Sequence, residues 1–258
     1  MRYLVFIFLL LAGFLPAQTI STVSGVSWSN IATVAGVSNA SIATVSGVSA
    51  PSGGCSAPVF RSAAEAYSGT GGNSITIAVP AGTVEGDLLV ASVYFNDRNQ
   101  GVVAPSGPFG WTLIDYYEDG DPSASVGCWY KIAGASEPAD YTWFGIGSVS
   151  RRGGTMACFS GSYDSDPTDA AVAQTQNSPV SAGITTANDC AMVLYFSGID
   201  SSPGSTFTEP SGWTSAGADD GSASTYIGYL YQETAGATGT ISYNTGEWNF
   251  VWSFIRND

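Results

Sequence analysis

The tripeptide Gly110-Trp111-Thr112 returns 102 residues later as Gly212-Trp213-Thr214, with its surroundings in nearly the same register. Asp87, ahead of the apolar run Leu88 to Phe95, recurs as Asp189 ahead of Cys190 to Phe196 at the same offset. Tyr130 and the Ala133-Gly134-Ala135 that follows it reappear as Tyr231 and Ala235-Gly236-Ala237, 101 or 102 residues on. Met156-Ala157-Cys158-Phe159 matches Val251-Trp252-Ser253-Phe254, where a shorter loop reduces the offset. A chain that repeats its turns and apolar runs in one register is built to make one local structure twice. The body is therefore expected to consist of two related halves, about residues 59–160 and 161–258.

Each half reads as a succession of short β patterns. In the first these are Phe60 to Ala66, Ile75 to Val79, Leu88 to Phe95, Trp111 to Tyr117, Val126 to Ala133, Tyr141 to Ile146 and Thr155 to Ser160. No segment carries a helical period, and turn residues separate the runs, as in Pro105-Ser106-Gly107-Pro108, Glu118-Asp119-Gly120-Asp121-Pro122 and Pro203-Gly204. The spacing predicts an all-β fold, a duplicated two-sheet β-sandwich of jelly-roll-like kind. Leu88 to Phe95 and Ala191 to Phe196 are apolar on both faces, which predicts central strands covered on both sides. Trp248, Phe250, Trp252 and Phe254 alternate with Asn249, Val251 and Ser253, which predicts one aromatic face on the last strand. The two halves are expected to pack as one sandwich with approximate twofold symmetry, with two separate immunoglobulin-sized beads as the alternative.

A different repeat precedes the body. Ile20 to Ser52 holds three copies of an eleven-residue unit, Ile-x-Thr-Val-x-Gly-Val-Ser, beginning at Ile20, Ile31 and Ile42. β-branched residues and a glycine in every copy disfavour helix, so each unit reads as a short strand that turns at Gly25, Gly36 or Gly47. Residues 18–52 are thus a repeat stalk, through whose units at 20–52 copies of the chain would associate, or a flexible Ser-rich tether. Residues 53–58 form the linker to the sandwich, 59–258. Ahead of the repeat, residues 1–17 read as a signal peptide: one Arg, the apolar run Leu4 to Leu15, then Pro16-Ala17, with cleavage near Ala17. Twelve apolar residues span only ~18 Å as helix, short of the ~30 Å bilayer core. The expected location is extracellular, on a surface or in a virion.

Charge limits the partners. Seven Lys plus Arg against 21 Asp plus Glu give a net charge of -14, which repels nucleic acid and anionic membrane surfaces, so neither is expected as a partner. No histidine is present, which removes the commonest general base and zinc ligand together. A glycosidase would need two facing carboxylates; Glu137, Asp140, Glu209 and Glu247 are available, but nothing in the sequence pairs any two of them. The chain is read as non-enzymatic, with an unrecognised glycan hydrolase as the weakest alternative.

Three acidic loop clusters carry the pattern of oxygen ligands that Ca²⁺ uses. They are Glu118, Asp119 and Asp121; Asp164, Asp166 and Asp169; and Asp219 and Asp220. Asp164, Asp166 and Asp169 are the best candidate Ca²⁺ ligands, and solvated turn residues are the structural alternative. Trp111 and Trp213 stand at recurring positions and read as core residues. Trp143 has no aromatic counterpart in the second half, which makes it the candidate for stacking on a cell-surface glycan. Arg151 and Arg152, from so small a stock of cations, are candidate contacts for an anionic partner. Four cysteines, Cys55, Cys128, Cys158 and Cys190, lack CxxC spacing. Cys128 and Cys158 are the favoured disulfide pair if their strands are neighbours, and buried free thiols are the alternative.

Gly86-Asp-Leu-Leu, Gly110-Trp-Thr, Trp129-Tyr-Lys-Ile-Ala, Glu137-Pro-Ala-Asp-Tyr-Thr-Trp and Tyr163-Asp-Ser-Asp-Pro resemble a largely uncharacterised family of secreted bacterial and phage-encoded β-sandwich proteins. The eleven-residue array is similar to the I-x-x-V-x-G-V arrays of virion-associated, fibre-like proteins of environmental phages. The resemblance implies a virion or cell-surface appendage and transfers no catalytic residue. The expected function is structural or adhesive, with a secreted carbohydrate-binding module as the alternative.

Overall fold

The computed structural model describes residues 22–23, 26–27, 33–34, 37–38, 44–45, 48–49, 57–96, 107–118, 124–161, 163–176, 180–181, 183–199, 209–219, 224–242 and 248–256. The signal-peptide expectation lies outside them. The chain divides into Met1–Cys55 and Ser56–Asp258. In the first unit every eleven-residue copy folds back on itself. β1 (Thr22–Val23) pairs with β2 (Val26–Ser27), β3 (Thr33–Val34) with β4 (Val37–Ser38), and β5 (Thr44–Val45) with β6 (Val48–Ser49), all antiparallel. The register is the same in each: Thr22 stands opposite Ser27 and Val23 opposite Val26, and so on at intervals of eleven.

The second unit has strands and no helix among its described residues. The first half contributes β7 (Val59–Ser68), β8 (Gly72–Ala78), β9 (Leu88–Asn96), β10 (Thr112–Glu118), β11 (Ala124–Ile132), β12 (Asp140–Val149) and β13 (Arg151–Ser160). The second contributes β14 (Thr168–Gln176), β15 (Val180–Ser181), β16 (Ala191–Ile199), β17 (Thr214–Ala218), β18 (Ser224–Gln232), β19 (Ile241–Ser242) and β20 (Trp248–Phe254). One five-stranded sheet runs β10-β11-β9-β13-β7 and the other, read from its corresponding edge, β17-β18-β16-β20-β14. Each strand of the second sheet stands seven places later in the chain than its counterpart in the first. β12 with β8, and β19 with β15, form a two-stranded sheet in each half. Successive strands β7, β8, β9 and β11, β12, β13 alternate between the larger and smaller sheet.

The five-stranded sheets pack face to face. Leu88, Val90 and Tyr94 of β9 and Phe159 of β13 share one core with Phe250, Trp252 and Phe254 of β20, so the alternating aromatics of the last strand do form the inner face of their sheet. Outside each sheet sits its two-stranded partner. Ile75, Ile77 and Trp143 cover Ala91, Val93 and Phe95 on one side, and Ile184 and Ile241 cover Val193, Tyr195 and Val251 on the other. This outer layer is why Leu88 to Phe95 and Ala191 to Phe196 have no polar face: both strands are buried along their whole length, between the opposing sheet and a small one of their own.

The recurring Gly-Trp-Thr is a turn that launches a strand. The Trp111 amide donates to the Pro108 carbonyl (3.2 Å) and the Trp213 amide to the Pro210 carbonyl (3.0 Å). The intervening Gly110 and Gly212 sit at φ 86° and 87°, the left-handed conformation that the third residue of a type II turn requires. The indoles that follow lean on the outer-layer clusters, as expected of core residues.

All four edges of the large sheets are interrupted by β-bulges, and no pairing between their central strands is. Arg61 is the extra residue on β7, Ile114 on β10 and Ala216 on β17, while β14 carries Asp169 and a second irregularity at Ala171-Val172. Bulges block further strand addition and re-aim side chains. Arg61 is aimed at Asp87, its Nε 2.8 Å from Oδ2. Ile114 and Val172 line the cleft described below.

The cysteine pairing differs from the favoured expectation. Cys128 and Cys158 are free, buried thiols, and Cys190 is disulfide-bonded. Cys128 is on β11 opposite Ser92 and Cys158 on β13 opposite Leu89, so β9 lies between their strands. That places them about 10 Å apart in strand spacing alone, beyond disulfide reach. They also face opposite sides of the sheet, Cys128 in the inner core and Cys158 in a cluster with Leu89 and Ala133. Burial, then the neighbouring Asp87 charge, pushes the Cys158 thiol up to about 11.

Candidate functional site

A side chain bridges the two large sheets along each edge of the gap between them. Along the β10–β14 edge Gln174 Nε2 donates to the Tyr116 carbonyl (3.4 Å). Along the opposite edge β7 meets β17 and β18: Phe60 stacks on Tyr229 of β18 (5.6 Å, 26°), and Glu65 Oε1 accepts the Ala218 amide (2.9 Å). Gly217 is needed there, because a Cβ would come within 3.2 Å of Thr155, Ala63 and Glu65 together. On the other side β10 faces β14 across a cleft of about 250 Å³ lined by Thr112, Leu113, Ile114, Tyr130, Asp166, Thr168, Val172 and Trp252.

Rigid parts frame the cleft. Tyr130 from β11 stacks on Trp252 from β20 at 5.3 Å and 18°, across the two sheets. Trp252 is 2% exposed and also packs against Phe254 (5.6 Å), so it forms a fixed floor and offers no open ring face for stacking. The bulge residues Ile114 and Val172 supply apolar walls. Asp166, on the loop ahead of β14, accepts the Thr168 amide at 3.1 Å and the Tyr130 hydroxyl at 3.5 Å. The Thr168 bonds come first among the causes that hold its carboxyl below the ordinary value, while burial, then the Asp166 charge, raises the Tyr130 phenol. Around neutral pH the cleft therefore presents a carboxylate acceptor beside un-ionised hydroxyls.

Other candidates from the sequence go elsewhere. Trp143 does not reach a surface: it is fully buried beneath the β8–β12 sheet, edge-on to Trp111 (5.2 Å, 67°) and near Trp129 (6.2 Å). Its strand neighbour Phe144 takes the outer face instead, 50% exposed, because successive residues of a strand point oppositely. Arg152 is committed internally, donating from Nε to the Ser74 carbonyl and from Nη1 to the Thr70 carbonyl, which holds the β7–β8 turn. Arg151 stands half-buried at the start of β13, opposite Asn96.

The acidic triad is divided. Asp164 is exposed, Asp166 turns to the cleft, and Asp169, a bulge residue, spends both oxygens on the fold. Its Oδ1 accepts from the Asn188 amide (2.9 Å) and side chain (2.8 Å), and its Oδ2 from the Ala187 amide (3.0 Å) and Ser253 hydroxyl (3.1 Å). Among the described residues no three His, Cys, Asp or Glu gather where one cation would bind them. Asp119, Asp121, Asp220 and Glu247 lie outside the described residues, and Asp219 is buried at the end of β17.

Glu137 is bound by its neighbours rather than facing a second carboxylate. It accepts from Lys131 Nζ, the Tyr141 hydroxyl and the Gly134 amide (2.6 Å). Burial opposes its ionisation, but the bonds from Lys131 and Tyr141 win and hold the carboxyl below the usual range. Burial and Glu137 together raise the Tyr141 phenol. A depressed carboxyl stabilises the fold above its unfolded value, ~4.3, and that contribution is lost as pH falls; a raised phenol stabilises below ~10, and its contribution is lost as pH rises. Glu137→Gln should therefore flatten the acid limb of the stability-pH curve relative to the parent, and Tyr141→Phe the alkaline limb, in urea unfolding measured across pH.

The signal for the cleft was absent from the linear chain: Tyr130 and Trp252 read only as recurring punctuation and core, and Asp166 as a calcium candidate. Comparison of the chain with protein-family models, with curated proteins and with solved structures finds no match to any of them.

Proposed function

We propose that this is a non-enzymatic structural or adhesive protein, exported to a cell surface or virion appendage, in which the hairpin array assembles copies and the sandwich is displayed. The observation that carries the reading is the array. Three hairpins of one register recur every eleven residues, and each has strands of only two residues. A lone hairpin of that size is marginal in water, so repeated identical ones gain stability by stacking on one another or on those of other copies. The bulged edges of the sandwich support the same division of labour, since they resist strand addition where the array invites it. The common strand order of the two halves, with bulges at matching places in β7 and β14 and in β10 and β17, supports their origin as copies of one unit.

Light scattering coupled to size exclusion tests the proposal on residues 18–258 and on residues 55–258, which keep all four cysteines. A trimer or larger assembly for the first and a monomer for the second is the expected result. Monomers for both would make the repeat a tether. The β10–β14 cleft favours a second reading, a carbohydrate-binding module that works alone.

A further inference from the structure

We propose that the β10–β14 cleft binds one uncharged saccharide unit, with Asp166 accepting hydroxyl protons from the sugar and Ile114 and Val172 bearing on its C–H face. The inference rests on the carbohydrate reading and assigns it a site that the sequence did not.

A side chain bridges each edge of the gap: Glu65 Oε1 accepts the Ala218 amide between β7 and β17 (2.9 Å), and Gln174 Nε2 donates to the Tyr116 carbonyl between β14 and β10 (3.4 Å). The two edges differ at the bulge, where β17 has Ala216 and β10 has Ile114, so strand order alone does not produce the cleft.

Its chemistry then selects the ligand. Asp166, Thr112, Thr168 and Tyr130 present a carboxylate and hydroxyls, and among the described residues no Lys, Arg or His lines the cleft. An anionic ligand would meet Asp166 with no counter-charge, on a chain of net charge -14. A ligand rich in hydroxyl donors suits the exposed carboxylate, which has about four lone-pair sites and shares some with Thr168 and Tyr130. Apolar Leu113, Ile114 and Val172 complete the lining, as a C–H face requires. The stacked Tyr130 and Trp252 floor and the bulged walls are in place before binding, so little ordering remains to oppose association.

The test is a titration of the full chain, followed by tryptophan fluorescence and calorimetry. The probes are neutral gluco-, galacto-, manno- and N-acetylhexosamine oligosaccharides and a matched uronic acid set, all to millimolar concentration. Binding of at least one neutral set, with the uronic acids rejected, is expected. Asp166→Asn should weaken it at least about tenfold, the loss of a hydrogen bond to a charged group. Val172→Phe, which fills the cleft, should abolish it, while thermal unfolding shows both variants folded. Neutral saccharide binding that both variants retain would overturn this site and leave the carbohydrate reading standing. Binding of uronic acids alone would overturn this site and leave the carbohydrate reading standing, and binding of no saccharide would overturn both.

Discussion

Trp143→Ala is expected to lower the unfolding free energy by about 3–5 kcal/mol, the cost of emptying a large aromatic site in a core. For a domain of this size that is roughly 6–20 °C in Tm, at 2–4 °C per kcal/mol. The ring is fully buried, packed edge-on to Trp111 and Tyr141 and tilted against Trp129. It is also the largest side chain joining the β8–β12 sheet to the sheet beneath. Two strands alone are marginal in water, so that layer depends on what it buries. Because the Trp143 Nε1 has no hydrogen-bond partner, Trp143→Phe removes an unsatisfied donor with part of the ring and should cost much less than alanine. Thermal and urea unfolding of the two variants measure the difference. A cost below about 1 kcal/mol for alanine, the range of surface substitutions, would show that the indole does not support this layer.

Asp87→Ala should cost about 2–4 kcal/mol, less than breaking a wholly buried pair because the Arg61 side chain keeps 36% exposure. The carboxylate is 1% exposed and holds three groups: Arg61 Nε at 2.8 Å, the Val84 amide at 2.9 Å and the Cys158 thiol at 3.5 Å. It therefore ties the β7 bulge, the turn into β9 and the last third of β13 together. A double-mutant cycle with Arg61→Ala separates the ion pair from the rest. Coupling near zero would mean that the turn, not the pair, is what Asp87 holds. With the neighbouring negative charge gone, the Cys158 thiol should also fall from about 11 toward its ordinary value.

The position equivalent to Arg61 in the second half is Asp169, and the charge reversal goes with different partners. Phe60 opposite Phe159 corresponds to Thr168 opposite Phe254, so both bulges fall one residue later. Arg61 closes an ion pair with Asp87, whereas Asp169 captures loop amides at 187–188 and Asp189 turns to the Ala235 amide. The backbone irregularity is common to both halves, while the side chain on it differs in each.

Trp143 shows where a linear reading fails. Lacking an aromatic partner 102 residues on, it looked like an acquired binding feature. What decides its role is a layer: β12 lies over β9 and β13, so the alternate residues Tyr141 and Trp143 point inward and Phe144 outward. The two-stranded sheets were hidden from the sequence because each is formed by strands far apart in the chain, β8 with β12 and β15 with β19. The disulfide expectation failed for the same kind of reason. Cys128 and Cys158 both lie in apolar strands, but strand order puts β9 between them and register turns them to opposite faces.

What the chain determined by itself is local and periodic: strands and not helices, the Gly-Trp-Thr turns, the doubly covered β9 and β16, and the aromatic face of β20. Those properties follow from backbone preferences and from alternation along a strand, which neighbouring residues carry between them. The tertiary structure alone decided which edges meet, which bulges face each other, and that the β10–β14 edge holds a cleft. Tyr130 and Trp252 are 122 residues apart in sequence, and their contact depends on two sheets packing at one particular stagger. No local propensity encodes that stagger, because it is set by the fit of whole sheet faces against one another.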